Sequence, residues 1–173
     1  VKSYEGFTAP AKVEVNIAAD GSTVVNYYYT RNTYTINFHA NEGDGTMESL
    51  TLAYNQSAKL PANAFTRKGY SFLGWATTAT GAVAYADQAD VENLTVEDGK
   101  TIDLYAVWEI NLFNLIIKTN NLVDANQSYI FTVSGRGYDG TEIWLQVAMG
   151  SNDEQKIVDV PAGLSVTNVT AGN

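Results

Sequence analysis

The sequence predicts a mainly β protein made of small modules in series. Tyrosine and glycine are prominent, with 11 and 14 copies in 173 residues, and this balance favours strands over helices. Apolar residues alternate with polar ones along most segments, which is the period of a half-buried strand. Turn signals rich in Gly, Asn and Asp separate these segments at short intervals. We expect several small sheets rather than one large core.

Composition excludes several classes of function. The net charge is −9, and the sequence has no cluster of Lys and Arg, which argues against nucleic acid and anionic membranes as partners. No apolar run approaches the ~18 residues of a spanning helix, so we expect no membrane insertion by this segment. Cysteine is absent, which excludes disulfides. The chain opens in the middle of a pattern at Val1, and we interpret it as an internal part of a longer protein.

Candidate catalytic and metal-binding residues are sparse. His39 is the only histidine, which excludes His-cluster metal sites and His-based triads, and we expect its imidazole to be solvated. The turn at residues 41–45 lacks the ligand spacing of a calcium loop. Acidic residues fall mostly in turns, where two carboxylates do not converge across a cleft. We therefore expect no enzyme activity, no metal site and no cofactor.

Residues 1–32 predict a partial β-hairpin unit. Val13, Val15 and Ile17 alternate with polar residues in a first strand, and Asp20-Gly21 is a turn pair. Residues 23–29 follow as the second strand. A two-stranded hairpin alone is marginal in water, so this unit needs a further partner.

Residues 33–109 predict a more complete unit. Alternation places strands at 34–38, 50–54 and 102–108, with a short strand near 83–85. Pro61 opens a single helical turn over 60–65, and residues 88–94 predict a short helix. Between them lies a cluster of glycines and aromatic rings at 68–75. We expect Phe72, Trp75 and Trp108 to face the core, because each belongs to an alternating or Gly-punctuated apolar pattern.

Residues 110–173 predict an incomplete β-sandwich. Apolar alternation indicates strands at 113–118, 129–133 and 143–147, and two further apolar segments, 157–160 and 164–166, flank a turn. Turns follow at Tyr138-Asp139-Gly140 and Pro161-Ala162-Gly163. Regular spacing of strands and turns is typical of a sandwich. No strong closing strand follows Val169, so we expect an open sheet edge.

The middle unit resembles the Listeria–Bacteroides repeat, the B-repeat type of internalin-like surface proteins. Three blocks and their spacing carry the resemblance: Tyr34-Thr35-Ile36-Asn37-Phe38, Lys68-Gly69-Tyr70-Ser71-Phe72-Leu73-Gly74-Trp75 and Leu104-Tyr105-Ala106-Val107-Trp108. The resemblance covers residues 33–109. It implies a β-grasp-like fold with a short helical segment, and a role as a stalk or adhesive module of bacterial cell-surface proteins.

Both flanking segments also resemble modules of surface proteins. Residues 1–32 look like the second half of a mucin-binding-protein module, carried by Tyr4-Glu5-Gly6-Phe7 and by residues 20–29. Residues 110–173 are similar to Cna-B-like (SpaA-type) stalk domains, carried by residues 115–119, 129–133 and 160–167. These resemblances imply an extracellular, cell-wall-attached or secreted protein.

The Cna-B resemblance raises one crosslink hypothesis. Relatives form an intramolecular Lys–Asn isopeptide bond, and Lys118 stands where the family's lysine would. That chemistry needs a neutral amine, which burial favours, and a protonated acid. Asn168 occupies the position where the family often has its acid, and the acceptor strand would lie beyond residue 173. We expect an ordinary exposed or partner-facing lysine and keep the crosslink as the alternative.

Aromatic residues supply the candidate ligand-binding positions. Tyr27, Tyr28 and Tyr29 form a consecutive run, in which a strand would place Tyr27 and Tyr29 on one face and Tyr28 on the other. Together with Trp144 they are candidates for stacking on sugars. The alternative is that these rings pack in the core or contact a neighbouring module.

The sequence therefore predicts a non-catalytic stalk or adhesion module of a bacterial cell-surface protein. Its expected partners are neighbouring modules of the same polypeptide and a host or matrix glycan or protein. The alternative is a carbohydrate-binding module that recognises mucin or other glycans. An accessory domain of a large secreted glycosidase is a third hypothesis.

Overall fold

The structure is a computed structural model that describes residues 2–120 and 128–171. It is all-β, with thirteen strands and no helix in the described residues, which confirms the predicted mainly β class. The chain forms two compact units. Unit 1 comprises Val1–Phe65 and Leu73–Val107, and unit 2 comprises Thr66–Phe72 and Trp108–Asn173.

Eight strands begin in the first 110 residues. They are β1 (Phe7–Thr8), β2 (Thr30–Arg31), β3 (Thr33–His39), β4 (Leu50–Ala53), β5 (Ala58–Lys59), β6 (Tyr70–Ala76), β7 (Asp90–Val91) and β8 (Lys100–Ile110). Four of them form a sheet in the order β4-β3-β8-β6. Strand β3 pairs antiparallel with β4 and parallel with β8, with Tyr34 opposite Lys100 and His39 opposite Tyr105.

The core of unit 1 follows from the alternation predicted for β3 and β8. Tyr34 and Ile36 on β3 and Leu104 on β8 are fully buried on one face of the sheet. Trp75 is 0% exposed and lies edge-on to Phe38, with ring centroids 5.0 Å apart. Each of these side chains contributes about 1.5–3 kcal/mol by its removal from water.

The glycine and aromatic cluster at 68–75 divides between the two units. Trp75 is buried as predicted. Phe72 and Trp108 are only half-buried, which corrects the prediction that both face the core. They pack against each other within unit 2, edge to face, at 5.6 Å between ring centroids.

Both predicted helical segments are wrong, for local reasons. In residues 60–65 the side-chain oxygen of Asn63 accepts a hydrogen bond from the Phe65 backbone N–H at 3.0 Å, which competes with helix formation. In residues 88–94 the backbone of Gln88 and Asn93 has positive φ, which a helix cannot accommodate. Asp90 and Val91 instead pair with β5.

The hairpin predicted in residues 12–29 does not form. Gly21 N–H donates to the Ala18 carbonyl at 3.1 Å, so the predicted turn is present. No strand flanks it, and Val13 and Ile17 are exposed. A hairpin without a further sheet to pack on gains too little burial to persist. The segment is closed instead by β1, which pairs antiparallel with β2.

Unit 2 has the strands predicted for residues 110–173. They are β9 (Leu112–Lys118), β10 (Tyr129–Arg136), β11 (Glu142–Met149), β12 (Glu154–Pro161) and β13 (Ser165–Ala171). Two sheets result, in the orders β11-β10-β13 and β12-β9. Ile117, Val133 and Met149 form a buried cluster to which both sheets contribute. This shared core is the arrangement of a small sandwich.

Candidate functional site

Trp144 is the most exposed of the large aromatic side chains in the described part of unit 2. It lies on β11, where Ile143, Leu145 and Val147 turn inward and Trp144 takes the opposite face. The side chain is 68% exposed. An exposed Trp offers a broad apolar ring and one N–H donor, so it can stack on a sugar or anchor a protein partner.

A charged pair stands beside this ring. Arg136 Nη2 donates to Glu142 Oε1 at 2.9 Å, across the β10–β11 ladder. Gly135, Arg136, Glu142, Ile143 and Trp144 line a shallow depression of about 330 Å³, which we name the Trp144 surface. It combines an apolar ring with one donor group and one acceptor group, which can orient a polar ligand.

A tight turn between β10 and β11 positions the Trp144 surface. Asp139 accepts hydrogen bonds from the backbone N–H of Thr141 at 3.0 Å and from its hydroxyl at 2.8 Å. These two bonds, the backbone one first, hold the pKa of the Asp139 carboxyl below its usual value. Because they stabilise the ionised form, Asp139 supports the turn above its ordinary pKa and loses that contribution as acid protonates it.

The sequence singled out Trp144 but missed Arg136 and Glu142. The signal that could have found them is the register of the hairpin. A turn centred on Asp139 places residue 136 opposite residue 142 and residue 134 opposite residue 144. Side chains on diagonal positions of one face lie within reach of each other. Register therefore assembles the Trp144 surface from two strands.

The three consecutive tyrosines have different environments. Tyr28 is 79% exposed and Tyr27 is 41% exposed. Tyr29 is half-buried, packs edge-on against Tyr4 at 5.0 Å, and donates its hydroxyl to the Lys2 carbonyl. Since no strand forms here, the predicted alternation of their faces does not apply. Tyr27 and Tyr28 are available for binding, whereas Tyr29 ties the two ends of this segment together.

Lys118 is an exposed, paired lysine. Its ammonium lies 2.7 Å from Glu154 Oε2, and its side chain is 59% exposed. The two residues face each other in the β9–β12 ladder. The crosslink chemistry needs a lysine buried in apolar surroundings, and this side chain is exposed. The side chain of Asn168 lies outside the described residues, and the isopeptide bond stays a prediction.

The remaining polar candidates have structural partners. His39 is more than a solvated imidazole, because Nε2 lies 2.8 Å from Asp103 Oδ1 and its ring stacks on Tyr105. Asn41, in the predicted turn, donates to the carbonyls of Ala79 and Ala106, both at 2.8 Å. Within residues 2–120 and 128–171, no group of three or more His, Asp or Glu side chains is arranged to hold a metal ion.

The chain is similar to one known protein over about half of its length. A protein of Evansella cellulosilytica named as a Gly-rich membrane protein is 28% identical over 92 residues, which is 51% of this chain and 10% of that protein. The chain therefore spans about a tenth of this relative's length. No helix in the described residues is long and apolar enough to cross a membrane. No solved structure matches the chain significantly.

A protein-family model matches one segment of the chain, and this segment lies within the unit predicted at residues 33–109. It covers 34–107, which begins on β3 and ends on β8, the two strands that pair in parallel. The resemblances of residues 1–32 and 110–173 to other surface modules stay predictions. Residues 34–107 match the family model of the Listeria-Bacteroides repeat domain.

Proposed function

We propose that this chain is a non-catalytic stalk module of a bacterial cell-surface protein, which spaces and displays its neighbours under mechanical load. The observation that carries the proposal is the parallel pairing of β3 with β8, the strands at the two ends of the repeat. The family match and the relative named as a membrane protein support a location at the cell surface. Its partners are the neighbouring modules of the same polypeptide.

The pairing geometry resists tension along the chain. Parallel strands run in the same direction, so the start of β3 and the end of β8 lie at opposite ends of their ladder. Six residue pairs, from Tyr34 with Lys100 to His39 with Tyr105, connect these strands. Parallel ladder bonds are evenly spaced, so tension applied at those two ends loads them together. A module loaded in this shearing direction holds until many bonds fail at once.

This proposal predicts that resistance depends on the direction of pulling. The chain has no cysteine, so engineered pairs give unique attachment points. Arg31→Cys with Glu109→Cys loads the β3–β8 ladder in shear. Arg31→Cys with Ala53→Cys loads the antiparallel β3–β4 pair at the end where Thr33 faces Ala53, and it opens the bonds of this pair in sequence. We expect the first pair to give a several-fold higher unfolding force in single-molecule force spectroscopy.

The comparison is internally matched, because both double variants share one attachment point and the same core. Urea-unfolding free energies equal to that of the unsubstituted chain would establish that neither pair of substitutions weakens the fold. Equal unfolding forces in the two directions would then contradict a load-bearing role. A high force in both directions would do the same, since it would not depend on the β3–β8 pairing.

A second candidate function is carbohydrate binding, and the exposure of Trp144 favours it. Truncating a central aromatic anchor typically weakens binding by about tenfold or more. We expect Trp144→Ala to lower retention on immobilised mucin by that factor. Tyr28→Ala tests the exposed tyrosine of unit 1 in the same retention assay. Phe113→Ala is the control, because Phe113 is an exposed ring of unit 2 outside the Trp144 surface. Unchanged retention of both Trp144→Ala and Tyr28→Ala would exclude these sites.

A further inference from the structure

A second concavity lies on the solvent-facing side of β8 in unit 1. Its volume is about 430 Å³, within the roughly 300–1,000 Å³ of small-molecule sites. The polar and aromatic side chains that line it are Thr77, Thr78, Tyr85, Thr101, Asp103 and Tyr105. We name it the Tyr105 concavity. It shares no residue with the Trp144 surface.

Strand alternation forms the base of this concavity. On β8, Leu104 and Ala106 are fully buried in the core. Thr101, Asp103 and Tyr105 therefore project from the opposite face. The same alternation on β3 places His39 next to Tyr105 in the parallel ladder. The base thus presents a hydroxyl, a carboxylate and an aromatic ring in a row.

Neighbouring side chains hold two of these groups in place. His39 stacks on one face of Tyr105, with centroids 4.6 Å apart and an interplanar angle of 16°. The same imidazole contacts the Asp103 carboxylate at 2.8 Å. Both groups are therefore oriented before any ligand arrives, which lowers the entropy cost of binding. His39 has the role of a positioning residue.

The rim is fixed to the sheet by hydrogen bonds. The Asn41 amide bridges the carbonyls of Ala79, beside Thr77 and Thr78, and of Ala106 on β8. On the other side, Tyr85 is attached to β6 by the bond from the Trp75 N–H to the Tyr85 carbonyl, at 2.8 Å. Segments distant in sequence are thereby held around one opening.

We propose that the Tyr105 concavity binds a neutral pyranoside. The electron-rich faces of tyrosine rings attract the C–H face of a sugar. Threonine hydroxyls both donate and accept, and Asp103 accepts from sugar hydroxyls, so the donors and acceptors of a polyol can be matched. Asp103 and the net charge of −9 disfavour sialylated or sulfated sugars. An ammonium ligand would leave the threonine acceptors and donors largely unused.

This inference does not depend on the stalk function, and the two are tested separately. The probes are methyl β-D-glucopyranoside, methyl β-D-galactopyranoside and methyl α-D-mannopyranoside, added at millimolar concentrations to the ¹⁵N-labelled full chain. We expect at least one glycoside to shift the amide NMR signals of Thr77, Thr78, Asp103 and Tyr105. Choline chloride and sialic acid at the same concentrations test cationic and anionic ligands.

Two variants assign the effect to the site. Asp103→Asn keeps the side-chain shape and removes the charge, and Tyr105→Ala removes the ring. We expect each to weaken glycoside binding by about tenfold, or about 1.4 kcal/mol. Trp144→Ala should leave these shifts unchanged. The proposal is overturned if no glycoside shifts the concavity signals, if the folded Asp103→Asn protein binds the glycoside as tightly as the unsubstituted chain, or if choline or sialic acid alone binds there.

Discussion

Replacement of Trp75 by alanine is expected to lower the free energy of unfolding of unit 1 by about 3–5 kcal/mol. Trp75 is fully buried, and its ring packs edge-on against Phe38 at 5.0 Å and Phe65 at 6.1 Å. Removing it loses the burial of the indole and leaves a cavity that the surrounding strands cannot close. Small domains are stable by only about 5–15 kcal/mol, so this loss is a large share of the total.

Urea denaturation followed by circular dichroism measures this effect, and the chain provides a matched control. Trp144→Ala deletes the same side chain from a position that is 68% exposed, where substitutions usually change stability by about 0.5 kcal/mol or less. Both variants lose one tryptophan side chain, so the difference between their free energies of unfolding measures the effect of burial alone. A cost for Trp75→Ala as small as that for Trp144→Ala would contradict the core position of Trp75.

The sequence predicted strands well where an alternating segment pairs with other strands. It failed at residues 12–17, which alternate but have no sheet to pack on, and it failed where local side-chain chemistry decided the backbone. Strands β3, β8, β9, β10 and β11 lie where apolar residues repeat with period two over at least five positions. The two short helices were wrong because Asn63, Gln88 and Asn93 impose hydrogen bonds or positive φ that a helix lacks. A pattern of apolar spacing contains no information on such competing conformations.

The candidate sites show a second limit of sequence reasoning. Trp144 could be selected from sequence alone, because it occupies the polar phase of an otherwise apolar alternation on β11. The Tyr105 concavity could not, since Thr77, Tyr85 and Asp103 come together only through the pairing of β3, β6 and β8. His39 illustrates the same point, because its partner Asp103 lies 64 residues away. Non-local pairing, rather than residue type, creates this site.

Replacement of Gly74 by alanine is expected to destabilise unit 1 by about 3 kcal/mol, from steric overlap of about 1–3 and backbone strain of about 1–2 kcal/mol. Gly74 has φ +149°, and an added Cβ would lie 2.7 Å from the Tyr85 carbonyl oxygen and 2.6 Å from Val83 Cγ1. That carbonyl accepts the hydrogen bond from Trp75 N–H, so it cannot move away from the added Cβ without breaking this bond. Thermal and urea unfolding measure the loss.

Gly99→Ala separates strain from overlap, because Gly99 also has positive φ (+70°) but no atom lies within 4 Å of its added Cβ. We expect it to cost only the strain of about 1–2 kcal/mol. Gly74→Ala should also displace Tyr85 and weaken glycoside binding at the Tyr105 concavity, whereas Gly99→Ala should not. Equal costs for the two variants would mean that the approach of Tyr85 to Gly74 is not tight. Gly74 would then be needed only for its positive φ, and the hydrogen bond between Trp75 and Tyr85 would not depend on it.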